Sequence, residues 1–490
     1  MDFKSCFESD SKIDRFMNTK NRFLTFLFVV LFSATTQAQP VLTTLVNFAG
    51  TNGGNTQGTM ILGNDGNFYG TTEGGGNFGK GTVFVMTTNG NLTTLVSFAG
   101  TNGADPYAGL TLGSDGNFYG TTYYGGDANR YGSIFMVTTN GVLTNLALFN
   151  NSNGARPQAG LTFGSDGNLY GTTQSGGNTS LNGGYGYGTI FKITTNGVLN
   201  SLFSFSNTNG AYPYAGLTLG NDGAFYGTTQ VGGNTNIYAS GWGTIFRITT
   251  NGQFTSLVNF GNTNGARPQG QLLLGDDGNF YGTTYYGSTN QNDTFGHGTI
   301  FKASTNGVLT SLISFDIGGV TGSSLWTNSN GGYPTSGLTK GNDGRFYGTT
   351  YQGGLGGYGT VFSITTNGVL TSLGSFSRTP DGGYPYAGLT LGNDGNFYGT
   401  TTAGGNDFSG YGTVFLLALV STPPVLGITT IGNQPVVVWV PSVSGYSGNN
   451  YSLQTTTNLA SGNWVDVSNG VQVTGILVTN LTGAAFFRLH

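Results

Sequence analysis

The sequence predicts an all-β fold, a closed seven-bladed β-propeller followed by a small β-sandwich-like module. Three observations predict it. A signature, GSDGNFYGTT at Gly113–Thr122, recurs in near-identical form six more times. Its Asp-Gly pairs begin at Asp65, Asp115, Asp166, Asp222, Asp277, Asp343 and Asp394, in steps of 50, 51, 56, 55, 66 and 51 residues. A period near 50 belongs to propeller-like arrays, whereas helical solenoids repeat at about 33–34. Finally, one element of the repeat is displaced from the end of the array to its beginning.

Each unit divides into four short strands. In the second unit the first strand is AGLTLGS, Ala108–Ser114. Asp115-Gly116 turns the chain, since both residues tolerate the positive φ of a two-residue hairpin. NFYGTT (Asn117–Thr122) is the second strand, and the Gly-rich loop YYGGDANRY follows. GSIFMVTT (Gly132–Thr139) is the third, and Asn140-Gly141 turns into the fourth, VLTNLALF (Val142–Phe149). The linker NNSNGARPQ enters the next unit. Successive strand residues face opposite ways, so Phe118 and Tyr119 can both be aromatic only if both sheet faces are covered. A blade wedged between two others provides that cover. Gly120 is expected where sheets crowd or the backbone bends, and the threonines add β-propensity.

The displaced element argues for a ring. The third strand occurs seven times, at Phe84, Phe135, Phe191, Phe246, Phe301, Phe362 and Phe415. The fourth also occurs seven times, but its first copy, Val41–Phe48, precedes the first Asp-Gly, and its last is Val369–Phe376. Pairing Val41–Phe48 with the sheet that contains Gly412–Phe415 closes the circle and covers both open edges. An open β-solenoid is the competing architecture.

Composition narrows the class. Charged residues are 7%, against about 25% in ordinary domains. With 13% aromatic and 37% apolar residues the chain is not disordered, and its 89 glycines follow no collagen period. Net charge is −4 with no Lys/Arg run in the body, so no nucleic-acid partner is expected. Lys20 and Arg22 precede the apolar run Phe23–Phe32, and Thr36 and Ala38 are placed for cleavage after Ala38. Residues 1–38 therefore read as a signal peptide, with Met17 the preferred start, and predict a secreted or cell-surface protein. The ten-residue run is short of the roughly 20 needed to span a bilayer, so no membrane span is expected in the mature chain. Cys6, the single cysteine, falls in the leader, which leaves the mature protein without thiol or disulfide.

The unit L-x-x-L-x-x-F, P-x-A-G-L, D-G-N-[FL]-Y-G-T-T, G-G, G-T-[IV]-F resembles the choice-of-anchor tandem-repeat GloVer-containing proteins over about residues 41–418. The hairpin is also similar to the propeller repeat of two-component regulators, with Tyr in place of Trp. The first resemblance implies a bacterial secreted or surface propeller of unassigned activity and supplies no catalytic residues. Members differ in their C-terminal sorting segment; here no terminal hydrophobic span is followed by basic residues. Beyond the propeller at 41–419, residues 420–425 read as a linker. Strand-like runs at Pro435–Pro441, Tyr451–Leu459, Asn463–Val467, Ile476–Leu481 and Ala484–His490 predict a sandwich-like module over 426–490. That module resembles one ending many secreted bacterial proteins, and is expected to be an accessory or export-related domain or a packing cap.

Antiparallel blades sort their loops. The Asp-Gly and Asn-Gly turns share one face; the longer loops between second and third strands share the other with the inter-blade linkers. Ligands bind on varied loops held by a rigid scaffold. On that face the residue before the third-strand glycine is Lys80, Tyr131, Tyr187, Trp242, His297, Tyr358 and Tyr411 around the ring. Tyr and Trp present a flat apolar surface with a polar edge, suited to stacking on sugars, with Asn and Gln as hydrogen-bond partners. The six aromatic or imidazole members are the candidate ligand-binding residues. Tyr123, Tyr124, Tyr285, Tyr286, Tyr351, Tyr107, Tyr214 and Tyr386 add further rings. Filling gaps between blades is the competing role for such repeated positions.

Catalytic patterns are thin. Glu73, Asp105, Asp127, Asp293 and Asp407 are the acids able to reach the variable face. A glycosidase needs two carboxylates about 5–9 Å apart. No G-x-S-x-G elbow occurs, two histidines cannot build a His-based metal site, and the alternating acids of a calcium loop are missing. No cofactor, no metal and a monomer are expected. The reading is a non-catalytic secreted propeller that binds a glycan or other extracellular polymer; the alternatives are a structural or adhesive surface protein with protein partners, and a propeller hydrolase or lyase.

Overall fold

The computed structural model describes residues 40–419 apart from 236–238, 288–294, 316–327 and 409, and the backbone of six strands beyond residue 424. The expected leader and linker lie outside the described residues. Seven four-stranded antiparallel sheets make up the propeller. Blade 1 comprises Ile61–Leu62, Phe68–Thr72, Thr82–Met86 and Leu92–Ser97, and blades 2 to 6 repeat it. Blade 7 takes Thr390–Leu391, Phe397–Thr400 and Thr413–Ala418 from the end of the array and Val41–Asn47 from its start. Val41 pairs with Ala418, Thr44 with Phe415 and Asn47 with Thr413, the closure that the displaced fourth strand predicts.

The repeated letters are inter-blade contacts. In the second strand Phe118 and Tyr119 are both almost fully buried, one against each neighbouring blade. Tyr69 stacks on Phe118 of the next blade, with centroids 4.1 Å apart, and Tyr170–Phe225, Tyr226–Phe280, Tyr281–Phe346, Tyr347–Phe397 and Tyr398–Phe68 continue the course. Where Leu169 replaces Phe, Tyr119 instead meets Phe163 edge-on at 5.7 Å. A second course joins the end of each fourth strand to the next third strand, from Phe48–Phe84 and Phe98–Phe135 to Phe376–Phe415. Each such pair adds about 0.5–1.5 kcal/mol beyond burial.

Gly120 lies beneath the Phe135 ring of its own blade; a Cβ there would stand 2.5 Å from the ring tip. The same fit recurs at Gly70, Gly171, Gly227, Gly282, Gly348 and Gly399. The threonines do more than favour strands. Thr71 Oγ1 donates to the Ala108 carbonyl of the next blade, and Thr72 Oγ1 sits 2.8 Å from Thr82 Oγ1 within its own.

Two features depart from the sequence expectation. The first strand pairs over two residues per blade, Thr111–Leu112 in blade 2, rather than over Ala108–Ser114. Its Ala-Gly portion runs against the neighbouring blade near the axis: a Cβ on Gly109 would lie 2.2 Å from the Thr59 carbonyl oxygen. The hairpin aspartate also has a second task. Asp65 Oδ1 accepts the Asn67 N–H, closing the turn, and Oδ2 accepts the Tyr69 hydroxyl. All seven blades repeat this Asp–Tyr bond, at 2.8–3.0 Å.

C-terminal to the propeller, Val425–Ile431, Gln434–Val440 and Ile476–Leu477 form one three-stranded sheet. Leu453–Thr456, Val465–Asp466 and Phe486–Leu489 form another. The strand from Val425 begins where the sequence reading placed the end of a linker.

Candidate functional site

The chain enters blades 2 to 7 through a segment whose second residue is proline and whose third precedes a small residue, as in Arg156-Pro157-Gln158-Ala159. Blade 1 carries Asn55-Thr56-Gln57-Gly58 at this place. The third residues form the innermost ring: Gln57, Tyr107, Gln158, Tyr214, Gln269, Thr335 and Tyr386. With backbone from the same segments they line an axial cavity of about 280 Å³.

A second ring surrounds it, supplied by the residue after each Gly-Thr-Thr or its equivalent: Glu73, Tyr123, Gln174, Gln230, Tyr285, Tyr351 and Thr402. The two rings are cross-linked. Gln57 Nε2 donates to Glu73 Oε2 at 2.6 Å, and the Tyr107 hydroxyl donates to Glu73 Oε1 at 3.1 Å. Tyr123 donates to Gln174 Oε1, and Gln174 Nε2 donates to the Tyr214 oxygen, both at 2.7 Å. Tyr386 donates to Gln269 Oε1 at 3.2 Å. Burial pushes the Glu73 carboxyl above its ordinary range; its two hydrogen bonds only partly offset this, and Asp105 adds to it. Burial likewise raises Asp105, with Lys80 opposing, and burial followed by Glu73 raises the Tyr107 phenol.

The residue before each proline, or before Thr56 in blade 1, forms a third ring: Asn55, Asp105, Arg156, Tyr212, Arg267, Tyr333 and Tyr384. All seven have φ between 53° and 58°, the left-handed region. Two hydrogen bonds hold each one there. Arg267 N–H donates to the Trp242 carbonyl of the preceding blade at 2.8 Å, and Tyr285 N–H donates to the Arg267 carbonyl at 3.1 Å; the other six copies repeat both bonds. For Arg or Tyr this conformation costs about 1–2 kcal/mol that glycine would avoid. Five of the seven copies nonetheless carry Arg or Tyr. Local strain of this kind clusters at functional sites.

The predicted residues form the outermost course. Tyr131, Tyr187, Trp242, His297, Tyr358 and Tyr411, with Lys80, each offer a carbonyl to the left-handed residue of the next blade. Trp242 is buried in the inter-blade core with Phe260 and Ala266. Tyr131, Tyr187 and Tyr358 are partly buried against inter-blade clusters, and His297 lies edge-on to Tyr333. Tyr411 is exposed and covers Gly50 and Gly54. None of the six lines the axial cavity. Of the candidate acids, Glu73 and Asp105 come together, Asp127 accepts N–H groups from Asn129 and Arg130 of its own loop, and Asp293 lies outside the described residues. The inner glutamines escaped the sequence reading. Comparing the seven residues two places before each Gly-Leu or its counterpart would have found them in the column of Tyr107, Tyr214 and Tyr386. No cluster of three or more His, Cys, Asp or Glu able to hold a metal occurs among the described residues. No helix among them is long and apolar enough to cross a membrane.

A closed repeat propeller carrying concentric polar-aromatic rings around an axial cavity is thus the class of protein that the structure defines. The chain belongs to the Gloeobacter/Verrucomicrobia repeat family, which it matches over residues 29–238, 177–325 and 321–428. Among solved structures it is similar to virginiamycin B lyase from Staphylococcus aureus, at 18% identity and a TM-score of 0.51, covering 78% of this chain and 100% of that one. It is also similar to puromycin hydrolase, at 11% identity and a TM-score of 0.46, over 82% of this chain and 64% of that one. A gluconolactonase from Xanthomonas campestris aligns at 9% identity and a TM-score of 0.39, over 78% and 94%. The first of these likenesses bears on fold alone. No curated protein matches the chain.

Proposed function

We propose that this protein is a secreted, non-catalytic propeller that binds a saccharide chain end-on in the axial cavity. The observation that carries the reading is the alternation of Tyr and Gln around the cavity, cross-linked to a second ring of the same chemistry. Phenol rings stack on the apolar faces of sugars, and carboxamides both donate to and accept from hydroxyls. The outer Tyr131, Tyr187, His297, Tyr358 and Tyr411 then flank the path of a longer ligand, while Trp242 supports them from the inter-blade core. Phe78, Tyr185 and Phe408, exposed at loop tips, offer stacking surfaces beyond them. Calorimetric titration of the purified chain with a glycan panel tests this. Tyr214→Ala with Tyr386→Ala is expected to abolish binding while Tyr131→Ala weakens it; retained affinity in the double variant rejects the cavity as the site.

One observation favours a second reading, a hydrolase or lyase. Glu73, bonded to the cavity-lining Gln57 and Tyr107 from behind, combines burial with a raised pKa, as a general acid does. This reading predicts product release from a glycan that Glu73→Gln eliminates without loss of binding. Equal release by the variant rejects it.

A further inference from the structure

Ten Lys and Arg side chains lie among the described propeller residues, and they divide by face. On the hairpin face Lys192, Arg247, Lys302, Lys340 and Arg345 each pair with an aspartate. On the variable face Lys80, Arg130, Arg156, Arg267 and Arg378 have no carboxylate within ion-pair distance among those residues. Arg156 and Arg267 stand apart even there. Both occupy the left-handed ring, with φ of 57° and 54°. Each guanidinium lies over a tyrosine, Arg156 5.7 Å from the centroid of Tyr124 in the preceding blade and Arg267 5.2 Å from that of Tyr286 in its own. The Arg267 Nε–H is buried and meets no acceptor among the described residues. A buried donor without a partner costs about 1–3 kcal/mol, in addition to the backbone cost of the position. A chain with so few charges keeps two guanidinium groups beside its polar cavity, neither paired with a carboxylate among the described residues.

We propose that Arg156 and Arg267 form a carboxylate-binding subsite, and that the saccharide is therefore acidic, a polymer of uronic acid units. The inference rests on the saccharide reading and deepens it. Arginine presents two parallel N–H groups that match a carboxylate, and the tyrosine beneath each guanidinium fixes the plane of the fork. The two arginines belong to blades 3 and 5, on either side of the blade that supplies Tyr214. A polyuronate thus meets a carboxylate site on both flanks of a stacking ring.

The test compares polygalacturonate with its fully methyl-esterified form, which has the same backbone without the charge, by titration into the full-length protein. The acid is expected to bind at least about tenfold more tightly, with affinity falling as salt rises. Arg156→Gln and Arg267→Gln are each expected to lower affinity for the acid about 10- to 100-fold and to leave affinity for the ester unchanged. A thermal midpoint recorded for each variant separates loss of a ligand contact from loss of fold, and Arg267→Lys, which keeps the charge without the fork, is expected to fall between. Equal affinity for acid and ester, or full affinity in both glutamine variants, overturns the inference and leaves the saccharide reading standing. Binding of dextran sulfate but not polygalacturonate overturns the carboxylate assignment. Retention of no glycan at all overturns both readings.

Discussion

The two faces of the propeller are made by the same repeat and treat variation in opposite ways. On the hairpin face the seven copies converge: Asp-Gly turns, the Asp–Tyr bond in every blade, and each cation neutralised. On the loop face the backbone is equally regular, with every left-handed residue held by the same two bonds, yet its side chains are Asn, Asp, Arg, Tyr, Arg, Tyr and Tyr. Identical backbone with diverging side chains marks positions where the frame does not depend on the identity of the side chain. The difference teaches that in such an array the invariant letters report how blades hold together, and the column that varies on a fixed frame reports what the molecule meets.

The largest blow to the packing side is removal of Val41–Asn47. Deleting this strand uncovers Val414, Phe415 and Leu417 at the last blade and is expected to abolish a single cooperative unfolding transition in denaturant. A smooth two-state melt in the truncated chain would show that ring closure is dispensable.

The next effect is a stability plateau bounded on both sides, because six of the hairpin aspartates and their tyrosine partners are shifted in opposite directions. Burial pushes Asp166 and Asp277 up, but bonds from lysine, asparagine and tyrosine outweigh it and hold both well below the usual carboxylate range. Asp65, Asp115, Asp222 and Asp394 shift the same way. A lowered pKa gives stability that is present above about pH 4 and lost as pH falls further. For the phenols the sign reverses: burial and then the aspartate raise Tyr69 and Tyr119 to about 12. Their contribution is complete below about pH 10 and disappears as pH climbs through 12. Thermal midpoints measured from pH 3 to 12 are expected to fall at both ends, and a curve still rising at pH 11 would contradict the assignment.

Single substitutions sharpen the contrast. Gly282→Ala places a methyl 2.5 Å from the Phe301 ring tip and is expected to cost about 3 kcal/mol by urea titration. Tyr281→Phe, which leaves Asp277 its turn and its Lys302 partner, is expected to cost about 1 kcal/mol. Arg267→Gly, on the opposite face, is expected to change stability least and in the other direction, by zero to about 1 kcal/mol of gain, since glycine relieves the left-handed strain. A clear loss of stability there would mean that the arginine is retained for packing.

How far the sequence announced this molecule follows the same division. Repeat number, closure and the double burial of Phe118 and Tyr119 were legible because each depends on spacing, alternation and the offset of Val41–Phe48 alone. The Asp–Tyr bond was present in every D-G-N-F-Y as a four-residue spacing. It stayed hidden because a turn is explained by the aspartate without it. The left-handed ring could not be read. A residue before proline ordinarily adopts extended backbone, and only the paired bonds from neighbouring strands, as at Arg267, hold it elsewhere. For the same reason the sequence reading settled on Tyr187 and Trp242, whose carbonyls build the frame, before the residues that the frame displays.

The bond between the first and last strands also sets an order of events. Val41 is among the earliest propeller residues to leave the ribosome, and its partner Ala418 is the final residue of the final blade. During synthesis the seventh sheet cannot be completed, so the nascent array carries an unsatisfied margin at each end until Ala418 has emerged. Docking of that strand is a late, long-range step with a large loop-closure cost. A chaperone or protease acting before it would encounter every blade but the last in nearly finished form.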